Sequence, residues 1–177
     1  MGIEMTRVSC RCFFAAWPDQ AVADRLHLLA TDARGNCGGR VMRCDTLHIT
    51  LVFLGEIPAG RVADARKLAD ELVLEPFDLT LDRLGYWRHN RILWAGGVSP
   101  RLTFLAETLG QALRAADFAL DARPFVPHLT LLRDARCVAV PPLPEAVTWP
   151  VREFVLAESR QSRDGPRYDI VARWPLA

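Results

Sequence analysis

Two stretches, Leu47-His48-Ile49-Thr50-Leu51-Val52-Phe53-Leu54-Gly55 and Pro124-Phe125-Val126-Pro127-His128-Leu129-Thr130-Leu131-Leu132-Arg133, share the core His-apolar-Thr-Leu and lie 80 residues apart. With nine Thr and 24 Leu in the chain, Thr and Leu falling two and three places after a given His is about a 0.7% event by composition alone. Two such hits among four His therefore make a repeat, not a coincidence. Both stretches are apolar enough to be strands, and strand side chains alternate between faces. His48 and Thr50 then project from one face, roughly 7 Å apart, with Leu47, Ile49 and Leu51 on the other. His128 and Thr130 are set against Leu129 and Leu131 in the same way.

Outward from these strands, each half of the chain holds a helix, a loop and a strand that begins with the motif. The first half reads as a strand over 7–16, a turn at Pro18-Asp19 with Asp19 as helix cap, and a helix over 20–33 broken by the glycines of 35–39. The motif strand covers 47–54 and stops at Gly55; a second helix covers 58–74. In the second half, strands over 77–84 and 91–96 form a hairpin, followed by a helix over 102–117 with Leu102, Leu105, Leu109 and Leu113 at helical spacing. The second motif strand covers 129–132, a Pro-rich connector follows at 141–144, and two closing strands, 151–159 and 168–174, flank a loop over 160–167. An 80-residue interval is too long for a solenoid repeat, so two related lobes facing one another within one domain over 1–177 are expected.

Composition bounds the chemistry. At 177 residues, half of them apolar, the chain can bury a sizeable core. Its 22 basic and 21 acidic residues nearly cancel, so no bulk field draws it onto long nucleic acid, and any such contact is local. Five Cys (10, 12, 37, 44, 137) form no Cys-x-x-Cys pair, and the first residues carry no charged segment leading into a long apolar run. The expectation is a cytoplasmic monomer with no disulfide framework and no membrane association.

Two imidazoles and two hydroxyls facing one cleft suit phosphoester chemistry. One neutral and one protonated His supply a base to activate water and an acid to protonate a leaving oxygen, each contributing about a hundred- to ten-thousandfold. Thr50 and Thr130 can donate hydrogen bonds to nonbridging oxygens as charge builds on phosphorus. The scheme calls for no metal and no organic cofactor. His27 and His89 have no Thr two places on and read as scaffold or surface residues.

The two quoted stretches resemble the paired signatures of the 2H phosphoesterases, and within them the bacterial and archaeal RNA 2′,3′-cyclic phosphodiesterases, also called 2′-5′ RNA ligases. The similarity extends to Arg11-Cys12-Phe13-Phe14-Ala15, to residues 81–94 and to the closing strand. It implies a bilobal, duplicated α+β fold with two antiparallel sheets facing a central cleft and helices outside, and hydrolysis of 2′,3′-cyclic phosphate RNA or oligonucleotide ends to 2′-phosphates, with His48 as proton donor to the leaving 3′ oxygen and His128 as proton acceptor from water. It also implies phosphate binding by Thr50, Thr130 and Arg133, and ATP-independent 2′-5′ ligation as the reverse of cleavage. Alternatives are a related enzyme acting on 2′,5′-linked or small cyclic nucleotides, or a non-catalytic module that binds RNA ends.

Strict alternation places Arg133 on the face opposite His128, so it reaches the cleft only where the strand ends or twists. Of Phe13 and Phe14, which point to opposite faces, Phe14 is taken to stack on a base. Arg160-Gln161-Ser162-Arg163 reads as an exposed charged turn, with contact to RNA backbone as the alternative. Cys37, Cys44 and His48 suggest zinc only through an unfamiliar spacing.

Overall fold

A computed structural model describes residues 8–163 and 165–177. Arg7, the first residue of the expected opening strand, and Asp164, within the expected loop, lie outside the described residues. The chain opens with β1 (Ser9–Ala16) and α1 (Gln20–Cys37), whose cap is Asp19, its carboxylate accepting from the Val22 amide at 2.9 Å. Helix α1 runs through Gly35 and ends only at Gly38, which has a positive φ of 59°. A short β2 (Arg40–Val41), β3 (Ile49–Pro58) and α2 (Val62–Asp70) follow. Strand β3 continues through Gly55 instead of stopping there, and α2 is shorter than the expected helix because a 3₁₀ turn occupies Ala59–Arg61.

Residues 77–84 are not one strand. β4 (Phe77–Leu81) pairs with a later strand, while β5 (Arg83–Trp87) pairs with β6 (Ile92–Gly96) as the hairpin. The chain changes partner at Asp82, whose amide donates to the Gly96 carbonyl at 3.0 Å. α3 (Pro100–Ala115) is capped by the Ser99 hydroxyl, and β7 (His128–Arg133) carries the second motif. β8 (Val147–Val151) was not anticipated; its Pro150, which lacks an amide to donate, is tolerated because β8 pairs only with β4. β9 (Glu153–Ser162) and β10 (Gly165–Pro175) extend into the segment read as a loop, so Arg160 to Ser162 are strand residues.

Antiparallel pairing gives two four-stranded sheets, β10-β9-β1-β3 and β2-β7-β6-β5, and a small third sheet, β4-β8. Each large sheet draws strands from both sequence halves. The helices cross over likewise: α1, which follows a strand of the first sheet, packs on β7, β2 and β8, whereas α3, which follows a strand of the second, packs on β3. A single apolar cluster joins these layers, with Leu26, Leu47, Leu105, Leu129, Trp149 and Phe154 among its fully buried side chains.

The cysteine expectation is corrected. Cys37, at the end of α1, is disulfide-bonded to Cys137, just after β7, which removes the cysteine ground for the cytoplasmic expectation and takes Cys37 out of the zinc alternative. No helix among the described residues is long and apolar enough to cross a membrane.

Candidate active site

The motif strands deliver their polar residues as alternation requires. Ile49, Leu51, Leu129 and Leu131 are buried, while His48, Thr50, His128 and Thr130 are only partly buried and line one cleft of about 440 Å³ between the two large sheets. Each imidazole is pinned alike: Nδ1 lies 2.8 Å from the carbonyl oxygen two residues earlier, Thr46 for His48 and Val126 for His128. A carbonyl only accepts, so Nδ1 carries the proton and Nε2 is left as the reactive nitrogen. Neither threonine hydroxyl has a partner among the described residues, so both remain available as donors.

Arg133 shares this cleft, for a reason that alternation alone could not supply. Along the β6–β7 pair, Thr130 opposes Trp94 and Leu132 opposes Leu93, leaving Leu131 as an extra residue. Such a bulge reverses the parity of the residues beyond it, and Arg133 turns onto the His/Thr face. β3 does the same after its own motif: Ala15 opposes Thr50 and Phe14 opposes Val52, leaving Leu51 extra. Phe53 thus reaches the cleft from the position equivalent to Arg133 and is 42% exposed.

Phe14 does not belong to the site. It is fully buried beneath the first sheet against Phe154 and Trp174, because the register of β1 turns it to the core. Phe13 takes the cleft face instead, with its ring 4.9 Å from that of His48. Trp17 stacks on the same imidazole at 4.8 Å and 18°, and Tyr168 meets it edge-on at 5.1 Å. Across the cleft, Trp87 meets the His128 ring at 4.5 Å and is backed by Trp94. Trp94 lies so close over Gly85 that a Cβ there would come within 2.1 Å of its ring. Sequence reasoning missed Trp17, Tyr168 and Trp87, because only the strand order brings them to the histidines.

Burial dominates the proton affinities. Desolvation, aided by Arg133 and His128, holds His48 down at about 4 despite the hydrogen bond to Thr46. His128 is also lowered, by desolvation first and by Arg133, against the hydrogen bond to Val126. Aromatic faces beside His48 favour its cationic form once an anion is present to offset Arg133.

A family model described as LigT like phosphoesterase matches the chain twice, over residues 17–94 and 95–168. The chain belongs to this family. Among similar LigT-like proteins, the RNA 2′,3′-cyclic phosphodiesterase of Escherichia coli K12 is 39% identical over 171 residues, covering 94% of this chain and 96% of its own. The protein of that name from Thermus thermophilus is 31% identical, covering 94% and 90%. The crystal structure of E. coli LigT complexed with 3′-AMP superimposes with a TM-score of 0.86 at 35% identity, over 95% of this chain and 98% of that one. Each LigT-like match in this chain holds one His-x-Thr motif, His48-Thr50 in the first and His128-Thr130 in the second.

Proposed function

We propose that this phosphoesterase hydrolyses the 2′,3′-cyclic phosphodiester ends of RNA to 2′-phosphomonoesters by acid–base catalysis between His48 and His128. The observation that carries the proposal is the matched pinning of both Nδ1 atoms, at 2.8 Å, which leaves two Nε2 atoms beside two unpartnered hydroxyls and a guanidinium in one cleft. The names of the E. coli and Thermus relatives support the substrate class. Neutral His128 takes a proton from water as its oxygen bonds to phosphorus; protonated His48 gives one to the 3′ oxygen as that bond breaks. Thr50, Thr130 and Arg133 hold the nonbridging oxygens as charge grows. A 5′ hydroxyl in place of water gives a 2′-5′ linkage by the same two proton transfers, which is the ATP-independent ligation of this scheme. The chain acts in it as one domain.

With adenosine 2′,3′-cyclic phosphate in excess chelator, we expect the 2′-phosphate as product. His48→Ala and His128→Ala each lower kcat by about a hundred- to ten-thousandfold. An analogue with sulfur at the 3′ leaving position separates the roles. Sulfur departs without a proton, so it restores much of the rate to His48→Ala and little to His128→Ala. Full activity in either alanine variant on the oxygen substrate sinks the mechanism; rescue of His128→Ala instead reverses the roles.

A further inference from the structure

Beside the cleft lies a second cavity of about 430 Å³ that shares His48, Thr50, Phe53 and Arg133 with it, so its inner end begins where the reacting phosphate sits. Its remaining wall comes from Arg11 and Phe13 on β1, Arg40 on β2, Ser159 and Gln161 on β9, and Pro166 and Tyr168 on β10. Among the described residues no carboxylate lines it.

Three guanidiniums therefore face this space, and among the described residues none of Arg11, Arg40 and Arg133 has an ion pair. Elsewhere arginines do find carboxylates: Arg43 reaches Asp45, Arg91 reaches Asp134, and Arg160 reaches Glu158 and Asp169. Arg40 and Arg133 are also direct cross-strand partners, a like-charge placement that weakens a sheet. Arg11 is held over the Phe53 ring at 4.8 Å, which orients its fork without neutralising it. Burial raises the Tyr168 hydroxyl's proton affinity against the pull of nearby arginines, Arg133, Arg11 and Arg40 among them, and those three line the cavity with it. A fold that keeps uncompensated cations together in a cavity is built for an anion with several oxygens.

Resting on the function proposed above, we infer that Arg11 and Arg40 form a second phosphate subsite, which takes the phosphate on the 5′ oxygen of the same nucleotide whose cyclic phosphate reacts. Arg133 divides the two sites and serves the reacting phosphate. The opposite arm of the cleft holds Leu51, Ile92, Phe125 and Val126, and its cation, Arg123, is paired with Asp121, so it suits a base better than a second anion. The enzyme then distinguishes a nucleotide at the end of a chain from a free nucleoside cyclic phosphate.

The test compares kcat/KM for adenosine 2′,3′-cyclic phosphate, the same compound bearing a 5′-phosphate, and the dinucleotide ending in a 2′,3′-cyclic phosphate, in the wild type, Arg11→Gln and Arg40→Gln. Wild type should favour at least one of the two 5′-phosphorylated substrates by about ten- to a hundredfold, with a steeper loss on added salt. In each variant that ratio should fall towards one, with unchanged thermal unfolding confirming the fold. Preference for the dinucleotide shows the diester of an RNA chain as the ligand; preference for the monoester alone shows a 5′-phosphorylated nucleotide. Equal rates on all three substrates in the wild type, or variants that slow all three alike, overturn the subsite while leaving the hydrolytic function standing. No turnover of any substrate overturns both.

Discussion

Both motif histidines have lowered proton affinities, His48 at about 4 and His128 below its ordinary value. Turnover as proposed needs the microstate with His48 protonated and His128 neutral. That microstate peaks between the two affinities and falls about tenfold per pH unit above the higher one. Because both lie below the ordinary histidine value, kcat/KM, which reports the free enzyme, should reach its maximum below about pH 6.5. A bound phosphate anion opposes Arg133 and raises both affinities, so the kcat profile should peak at higher pH than the kcat/KM profile. Rates of adenosine 2′,3′-cyclic phosphate hydrolysis measured from acid to alkaline pH check this; a kcat/KM optimum on the alkaline side of neutrality contradicts it.

Among the strands, period-two alternation made the His/Thr face legible, since it depends only on neighbours along the chain. It could not place Arg133, because the bulge at Leu131 exists only in the pairing with β6. Nor could it choose between Phe13 and Phe14: alternation says that they differ, and the other strands of the sheet decide which faces the core. Trp17 and Tyr168 were invisible for a related reason: Trp17 follows β1, which pairs with β3, and Tyr168 packs with Phe13 and Trp17 beside His48 although β9 and β1 separate its strand from β3. On the second sheet the support of His128 rests on missing side chains. Gly85→Ala puts a methyl 2.1 Å from the Trp94 ring, which must lift and carry Trp87 with it. We expect a loss of about 1–3 kcal/mol in urea unfolding and a fall in kcat larger than any change in KM. A variant of native stability and activity would show that Trp94 has room to move.

For the molecule as a whole, two facing lobes followed from the repeated motif and the α+β fold with sheets around a cleft from the resemblance that the motif carries, whereas the exchange of strands and helices between sequence halves did not, because periodicity carries no information about which sheet a strand joins. The Cys37–Cys137 bond was equally hidden, its ends being 100 residues apart. A closed loop of that length restricts the unfolded chain enough to contribute about 2–5 kcal/mol. Thermal unfolding with and without a thiol reductant, and of Cys37→Ser, should show a matching loss; an unchanged midpoint would mean that the bond adds nothing to stability. The paired bulges lead further. A frame that offers His and Thr twice would accept a phosphodiester equally well turned end for end, and could release either ribose oxygen. The residue aimed into the cleft after each bulge breaks that tie, an aromatic ring from Phe53 on one side and a cation from Arg133 on the other. In the proposed mechanism regiochemistry, the choice between the 2′ and the 3′ product, is then expected to depend on two side chains that never handle a proton.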